Sequence, residues 1–291
     1  MPLDVLSTTA VNDVYPNIVP QDRLRLPDAL TVKHGPAQLL SRMVIKGDVT
    51  ARRIGLRLFL RHDFAELRDL NQRHVAAGNW LTIPGAFNPD YADLTPENAF
   101  WIAGENEAGE TVVTWAARIH NWTGTNLAEQ VRASWYGRDL GQPCIVTAEA
   151  AQLISGVVVC GGASWVRPDF RGKHLSHLIP RIGKAYACAR WPIDWSFCYI
   201  SRRNVEKGLA ESYGQKNLSY SIVYPDSPWG EVAIAYTGIA DVYADFAKFV
   251  TEELPDDRAS SEDEDVLPRS FEHIVTSTSS DRVFHGSSNL S

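Results

Sequence analysis

The sequence predicts an α/β (α+β) domain, in which β-type runs form one sheet flanked by helices, with an N-terminal extension and an acidic C-terminal tail. Three observations predict it. Pairs of β-type runs joined by turn residues occur twice, at 100–119 and 218–236, as hairpins do. Between them, two apolar runs, Gly156 to Arg167 and Ile193 to Ile200, bracket a segment with helical spacing of its apolar residues. Over 291 residues, 44% are hydrophobic and 22% charged, with nine Trp, ten Tyr and ten Phe, enough large apolar residues for a proper core.

Each element has its own signal. The first 53 residues are rich in Pro, weakly periodic, and read as an extension with one helix over Ala37 to Val44. Ile54 to Arg61 alternates apolar and basic residues, as a half-buried strand does. Asp63 then stands as an N-cap with Glu66 three residues later, opening a helix that stops before Gly78. A short helix is expected at Asn88 to Asn98. Phe100 to Ala103 and Val112 to Ile119 form a hairpin across a Glu-Asn-Glu-Ala-Gly turn. An amphipathic helix follows over Asn126 to Trp135, then a linker with Gly137, Gly141 and Pro143; about 120–150 reads as an insertion. After the central strand–helix–strand unit, Arg202 to Tyr213 reads as a helix. Leu218 to Tyr224 and Glu231 to Tyr236 pair around Pro225-Asp226-Ser227-Pro228, and Ile239 to Leu254 closes the domain, which spans 54–254. Residues 255–291 are acidic, then rich in Ser and Thr, the composition of a flexible tail.

Charge and cysteine usage narrow the class. The net charge of −7 comes from Glu252 to Asp265, where eight acids face one Arg. Asp22 to Arg61 and Trp165 to Lys207 each carry nine Lys or Arg against three acids, so the body has two basic segments. That pattern suits a small anionic ligand better than a nucleic-acid duplex, and no nucleic acid is expected. Four cysteines without metal-type spacing point to buried thiols in a reduced, cytoplasmic setting. The N-terminus lacks the pattern of a signal peptide. The one long apolar stretch, Ala148 to Val166, is interrupted by Glu149, Gln152 and a glycine pair, and reads as a short helix and a buried strand rather than a membrane span. Gly-x-Ser-x-Gly, Walker and Gly-x-Gly-x-x-Gly motifs are absent. His174 and His177 lie one helical turn apart without a third ligand, so no metal is expected.

The segment that carries chemistry runs from Ser164 to Ser176. Pro168 ends the strand, because it cannot donate to a ladder. The helix beyond has apolar or small residues at 175, 178, 179, 182, 185, 186 and 189, the stripe of a core-facing helix. Its first turn offers unpaired N–H groups and the positive end of the helix dipole. Arg171 and Lys173 add formal positive charge at the same place, making a cradle for a pyrophosphate.

Val-x-Pro-x-Phe-Arg-Gly-Lys between a strand and a long amphipathic helix resembles the pyrophosphate signature of the GNAT acetyltransferase superfamily, which has the acyl-CoA N-acyltransferase fold. The resemblance spans about residues 54 to 238. It implies a mixed, mostly antiparallel sheet, acetyl-CoA or another acyl-CoA as cofactor, and a small-molecule or peptide amine as partner; a homodimer stays open. It also implies roles for residues. Backbone amides over Lys173, His174, Leu175 and Ser176, with Arg171 and Gly172, would bind the diphosphate. The exposed backbone of Trp165 and Val166 would pair with the pantetheine arm, and Asn204 would touch the cofactor. Tyr213 is the candidate acid for the leaving thiolate, and Glu149, with His120, a candidate base. The loop is degenerate. The family's usual form is Arg/Gln-x-x-Gly-x-Gly/Ala, and His174 and Ser176 stand at its two later small-residue positions. The expected function is N-acyl transfer, with a non-catalytic binding module as the alternative and a larger or aminoacyl donor as a third.

Overall fold

A computed structural model describes residues 24–133, 144–223 and 230–252. The linker at 137–143, the turn at 225–228 and the tail at 255–291 lie outside the described residues. Helix α1 (Ala37–Arg53) leads into β1 (Arg57–Arg61) and α2 (Phe64–Ala76). β2 (Ala99–Glu105) and β3 (Thr111–Trp122) follow, then α3 (Leu127–Arg132), β4 (Ile145–Val146) and α4 (Ala150–Leu153). The central unit is β5 (Gly156–Val166), α5 (Leu175–Arg190) and β6 (Trp195–Ser201). Two short helices, α6 (Arg202–Glu206) and α7 (Leu209–Ser212), precede β7 (Asn217–Val223), β8 (Glu231–Gly238) and α8 (Ile239–Thr251).

One eight-stranded sheet runs in the order β1-β2-β3-β5-β6-β8-β7-β4. Every neighbouring pair is antiparallel except β5 and β6, which a helical crossover forces to run parallel. The mixed, mostly antiparallel sheet and its flanking helices are therefore as expected. From β5 to β8 the order, strand, helix, strand, helix and strand pair, is as the sequence indicates, while β4 is a strand the sequence did not signal.

The differences are local. Residues 88–98, expected as a helix, form turns, and the regular turn nearby is a 3-10 helix at Gly85–Phe87. Asn88 and Asn98 spend their side chains on backbone groups, accepting from Asp90 and Thr95, which competes with helix formation. The single helix expected over 202–213 is broken at Gly208, where φ is +73. Helix α1 continues nine residues past Val44, to Arg53. Its Leu40, Met43 and Val44 are fully buried, so part of the extension belongs to the core. Asp48, also buried, takes Arg25 (2.6 Å) and Arg52 (3.0 Å), fastening the chain entry to this helix. The stretch tested as a span becomes α4 and β5, and among the described residues no helix is long and apolar enough to cross a membrane.

Each face of the sheet has its own core. One packs Leu40, Met43, Ile182 and Phe246, from α1, α5 and α8, against Trp115 and other strand residues. The other packs Leu67, Phe87, Trp101, Val131, Ile154 and Phe197, beneath α2, α3 and α4. Asp63 caps α2 as its sequence signal indicates, accepting from Ala65 and Glu66 N–H.

Helix α5 lies unusually close to its neighbours because it has glycine at the contact. A Cβ on Gly183 would stand 2.2 Å from the Trp115 ring, and one on Gly47 of α1 would stand 2.3 Å from Ile182. Gly183→Ala gains helix propensity but must push the indole aside, so a net loss of about 1–2 kcal/mol is expected as a lowered urea midpoint.

Candidate functional site

Strand β5 pairs with β6 only at Val158, Val159 and Cys160, opposite Trp195, Ser196 and Phe197. Beyond that point the two strands part. β6 stays with β8 through Ser201, while β5 stays with β3 through Val166. The register of β5 on β3 slips between Thr114 and Ala116, where Ala163 and Ser164 stand against Trp115 alone, and Ala163 is the residue with an unusual backbone. Its φ is +47, and Thr114 Oγ1 donates to its carbonyl at 2.8 Å inside the protein. A bulge of this kind bends its strand and raises the twist. The side of β5 turned away from β3 is left without a strand partner over this stretch, and its peptide groups can take another extended chain.

The gap between the strands is a cleft of about 770 Å³. Gly161 to Val166 form one edge and Cys198 to Ser201 the other. At its mouth β5 ends, a 3-10 turn at Pro168–Phe170 reverses the chain, and the loop enters α5. Gly172 has φ +74, and His174, the N-cap of α5, has φ 52 and ψ 25. Histidine is among the few residues that enter this left-handed region with any frequency. His174 thus holds the backbone shape that glycine would give, with its side chain exposed. The N–H groups of Leu175 and Ser176 lie in the first turn, where no intrahelical acceptor exists.

The structure brings most of the expected residues to this cleft. Trp165, Val166, Arg171, Gly172, His174, Leu175, Ser176, Asn204 and Tyr213 line it. Ser176 Oγ lies 2.9 Å from Ser212 Oγ, tying the loop to the end of α7, one residue before Tyr213. Lys173 is placed differently: its Nζ sits 4.5 Å from the centre of the Phe170 ring. Glu149 is exposed at the start of α4 and is not brought to the cleft. His120 stacks on Trp122 at 4.9 Å, also away from it. Burial, then the Arg118 charge, pushes its pKa down to about 3, so it is neutral at pH 7.

Several cleft residues carry no motif. Arg203 and Lys207, on and just after α6, line the same cleft as the loop. Their only advance signal is the basic excess of residues 165–207. Lys184 lies in the floor at 2% exposure, with its ammonium donating to Gly214 O at 2.9 Å. Burial lowers its pKa from 10.5 to about 8. Cys198, also in the cleft, has its thiol pushed up to about 11 by burial, which keeps it from acting as a thiolate nucleophile. One turn before Lys184, Arg181 grips Asp245 of α8 through two contacts, at 2.9 and 3.0 Å. It also donates to the carbonyls of His177 and Ser212. His177 Nδ1 lies 3.0 Å from the same guanidinium, and its pKa falls to about 4, through burial first and then the Arg181 charge. This imidazole is a neutral partner of Arg181, and among the described residues no group of three potential ligands could hold a metal ion.

No family model matches the sequence, and no curated protein matches it. Solved structures align over about two thirds of the chain. The spermidine N-acetyltransferase SpeG from Vibrio cholerae is 9% identical, with 64% of this chain and 95% of that one covered at a TM-score of 0.39. FeeM, an N-acyl amino acid synthase from uncultured soil microbes, is 12% identical, covering 67% and 98% at 0.41. The aminoglycoside acetyltransferase AAC(6')-Ib with coenzyme A and kanamycin is 15% identical, covering 63% and 96% at 0.35.

Two outcomes test that geometry. A β-branched residue is strained at positive φ, so His174→Val should cost about 1–2 kcal/mol while His174→Gly costs little or nothing, read as urea midpoints. Lys184 gives a pH signature. Its folded pKa of about 8 lies below the ordinary 10.5, so the unfolded chain binds the proton more tightly. Stability is therefore lowest below pH 8 and rises as pH climbs towards 10.5. Lys184→Met should flatten that rise in denaturation midpoints measured at about pH 8 and about pH 10.

Proposed function

We propose that the chain is an N-acyltransferase that takes its acyl group from an acyl-CoA, acetyl-CoA in the first instance, and passes it to a primary amine of a small molecule or peptide. The observation that carries this reading is the parting of β5 from β6 just before a left-handed loop and a helix N-terminus. An unpartnered strand edge suits an arm containing amides, and the loop suits a diphosphate. Both lie in one continuous cleft.

In this reading the amides of Lys173 to Ser176 hold the diphosphate together with Arg171. Arg203 and Lys207 supply further positive charge from α6 and the residue after it, and Asn204 contacts the same ligand. The backbone of Trp165 and Val166 pairs with the pantetheine amides. Bound there, the thioester supplies an acyl carbon open to attack. A lysine-like amine, with pKa near about 10.4, must lose its proton before it attacks. Tyr213, which lines the same cleft as Asn204, would protonate the leaving sulfur. Glu149 does not line the cleft, and in this reading the amine gives its proton to water.

The non-catalytic alternative rests on His174 and Ser176. The left-handed backbone of His174 supports a competent loop, and Ser176 spends its hydroxyl on Ser212 while its amide stays in the first turn. Isothermal titration with acetyl-CoA should give saturable heat below about 1 mM, equivalent to about 4 kcal/mol or better; no heat at that concentration overturns the proposal. Tyr213→Phe should then lower kcat by about 10²–10⁴-fold with the affinity for coenzyme A unchanged, as expected for loss of a general acid.

A further inference from the structure

The cleft has two unlike linings. Cations line it at the loop and along α6 and the residue after it, with Arg171, Arg203 and Lys207. Segment 78–87, which runs from the end of α2 through the 3-10 helix, is its apolar wall, with side chains that include Trp80, Leu81, Ile83 and Phe87. Among the described residues that line the cleft, the one carboxylate is Glu206, and it belongs to α6. The apolar wall has none.

This apolar wall is built, not loose. Buried Asn71 of α2 donates to Leu81 O at 2.8 Å and accepts from Ile83 N–H at 3.1 Å. Trp165 on β5 donates its indole N–H to Asn79 O at 3.1 Å. Trp80 stacks on that indole with ring centres 4.9 Å apart and planes within 13°. His74 covers Trp165 from α2 at 4.2 Å. Phe87 lies against the backbone of Gly162, where a Cβ would come within 2.5 Å of the ring. Leu81 is nevertheless 65% exposed at the cleft rim. A large apolar side chain held in the open by a buried asparagine, beside a stacked tryptophan pair, marks a surface awaiting apolar contact.

We propose that the amine acceptor is a monoamine carried on a flat, apolar ring, and that Trp80 and Leu81 select it. The inference rests on the acyl-transfer reading and adds the substrate class. A flat ring can lie against Trp80 and Leu81 and bury its faces on apolar surface, an arrangement aromatic pairs favour. A polyamine or aminosugar brings further ammonium groups. On this wall those charges would be desolvated without a carboxylate to pair with, which is strongly unfavourable. A single amine avoids the problem, since it must be neutral to react.

The experiment uses the full chain and two titrations. Coenzyme A is titrated first, because failure to bind it sinks the acyl-transfer reading and this inference with it. With coenzyme A saturating, 2-phenylethylamine, a linear alkyl monoamine and spermidine are then titrated separately, and acetylation of each by acetyl-CoA is followed by mass spectrometry. The expected result is binding of 2-phenylethylamine at least tenfold tighter than of the alkyl amine and a hundredfold tighter than of spermidine, with turnover in the same order. Leu81→Asp, at an exposed position that folding does not depend on, should cut that preference at least tenfold while leaving coenzyme A affinity unchanged. Trp80→Ala should do the same. Coenzyme A binding together with equal or stronger binding of spermidine, or an unchanged preference in Leu81→Asp, would overturn the substrate class alone. So would coenzyme A binding with no detectable binding of 2-phenylethylamine.

Discussion

The parting of β5 from β6 is the constraint on which the rest of the structure depends. Two parallel strands joined by a helix would ordinarily pair along their length. Here the pairing lasts three residues and stops. Ala163, held at positive φ with its carbonyl taken by Thr114, bends β5 towards β3. Strand β6 stays straight because β8 pairs with all seven of its residues. The result is a wedge whose walls are backbone, open to an extended ligand and placed in the middle of the sheet, where the packed cores on both faces hold it rigid.

That wedge is useful only if α5 enters at a fixed height, and the packing around α5 sets it. Gly183 lets the helix rest on Trp115, and Gly47 lets α1 press on Ile182 from outside. Arg181 binds α8 through Asp245 and the end of α7 through Ser212. Lys184, next along the same face, reaches Gly214. The buried cations of α5 therefore join the helix bearing the anion loop to the segment bearing Tyr213. Burying Lys184 disfavours its charge, as its lowered pKa records. The helix runs unbroken through Pro180, its sixth residue, although the ring leaves the Ser176 carbonyl without its helical donor.

The loop reads differently in three dimensions than as a string of letters. His174 departs from glycine in sequence yet keeps a glycine-like backbone, because histidine tolerates the left-handed region and its side chain points away from the core. Lys173 looks like a phosphate ligand in sequence, but its ammonium lies over Phe170. Arg203 and Lys207 come from a separate element and line the same cleft. The positive charge of the site is thus shared between the loop and α6.

Much of the framework was legible in the sequence, because strand alternation, the helical stripe of α5, the Asp63 cap and the turn at Gly109 are local signals. The loop itself was legible for the same reason, as Pro168, Arg171 and Gly172 act within a few residues of one another. Residues 88–98 were misread as helix because asparagine side chains compete for the backbone, and composition does not show where they point. The wall at 78–87 carried no signal, since its meaning depends on Asn71 and Trp165, from two other elements. The floor at Lys184 was silent too, because a lysine in a helix reads as surface until another chain segment covers it. The sequence by itself determined which segments become strands, helices and an anion-binding turn. Only the tertiary structure decided where β5 and β6 part and which side chains face each other across the gap, because contacts between residues far apart along the chain exist only once the sheet has formed.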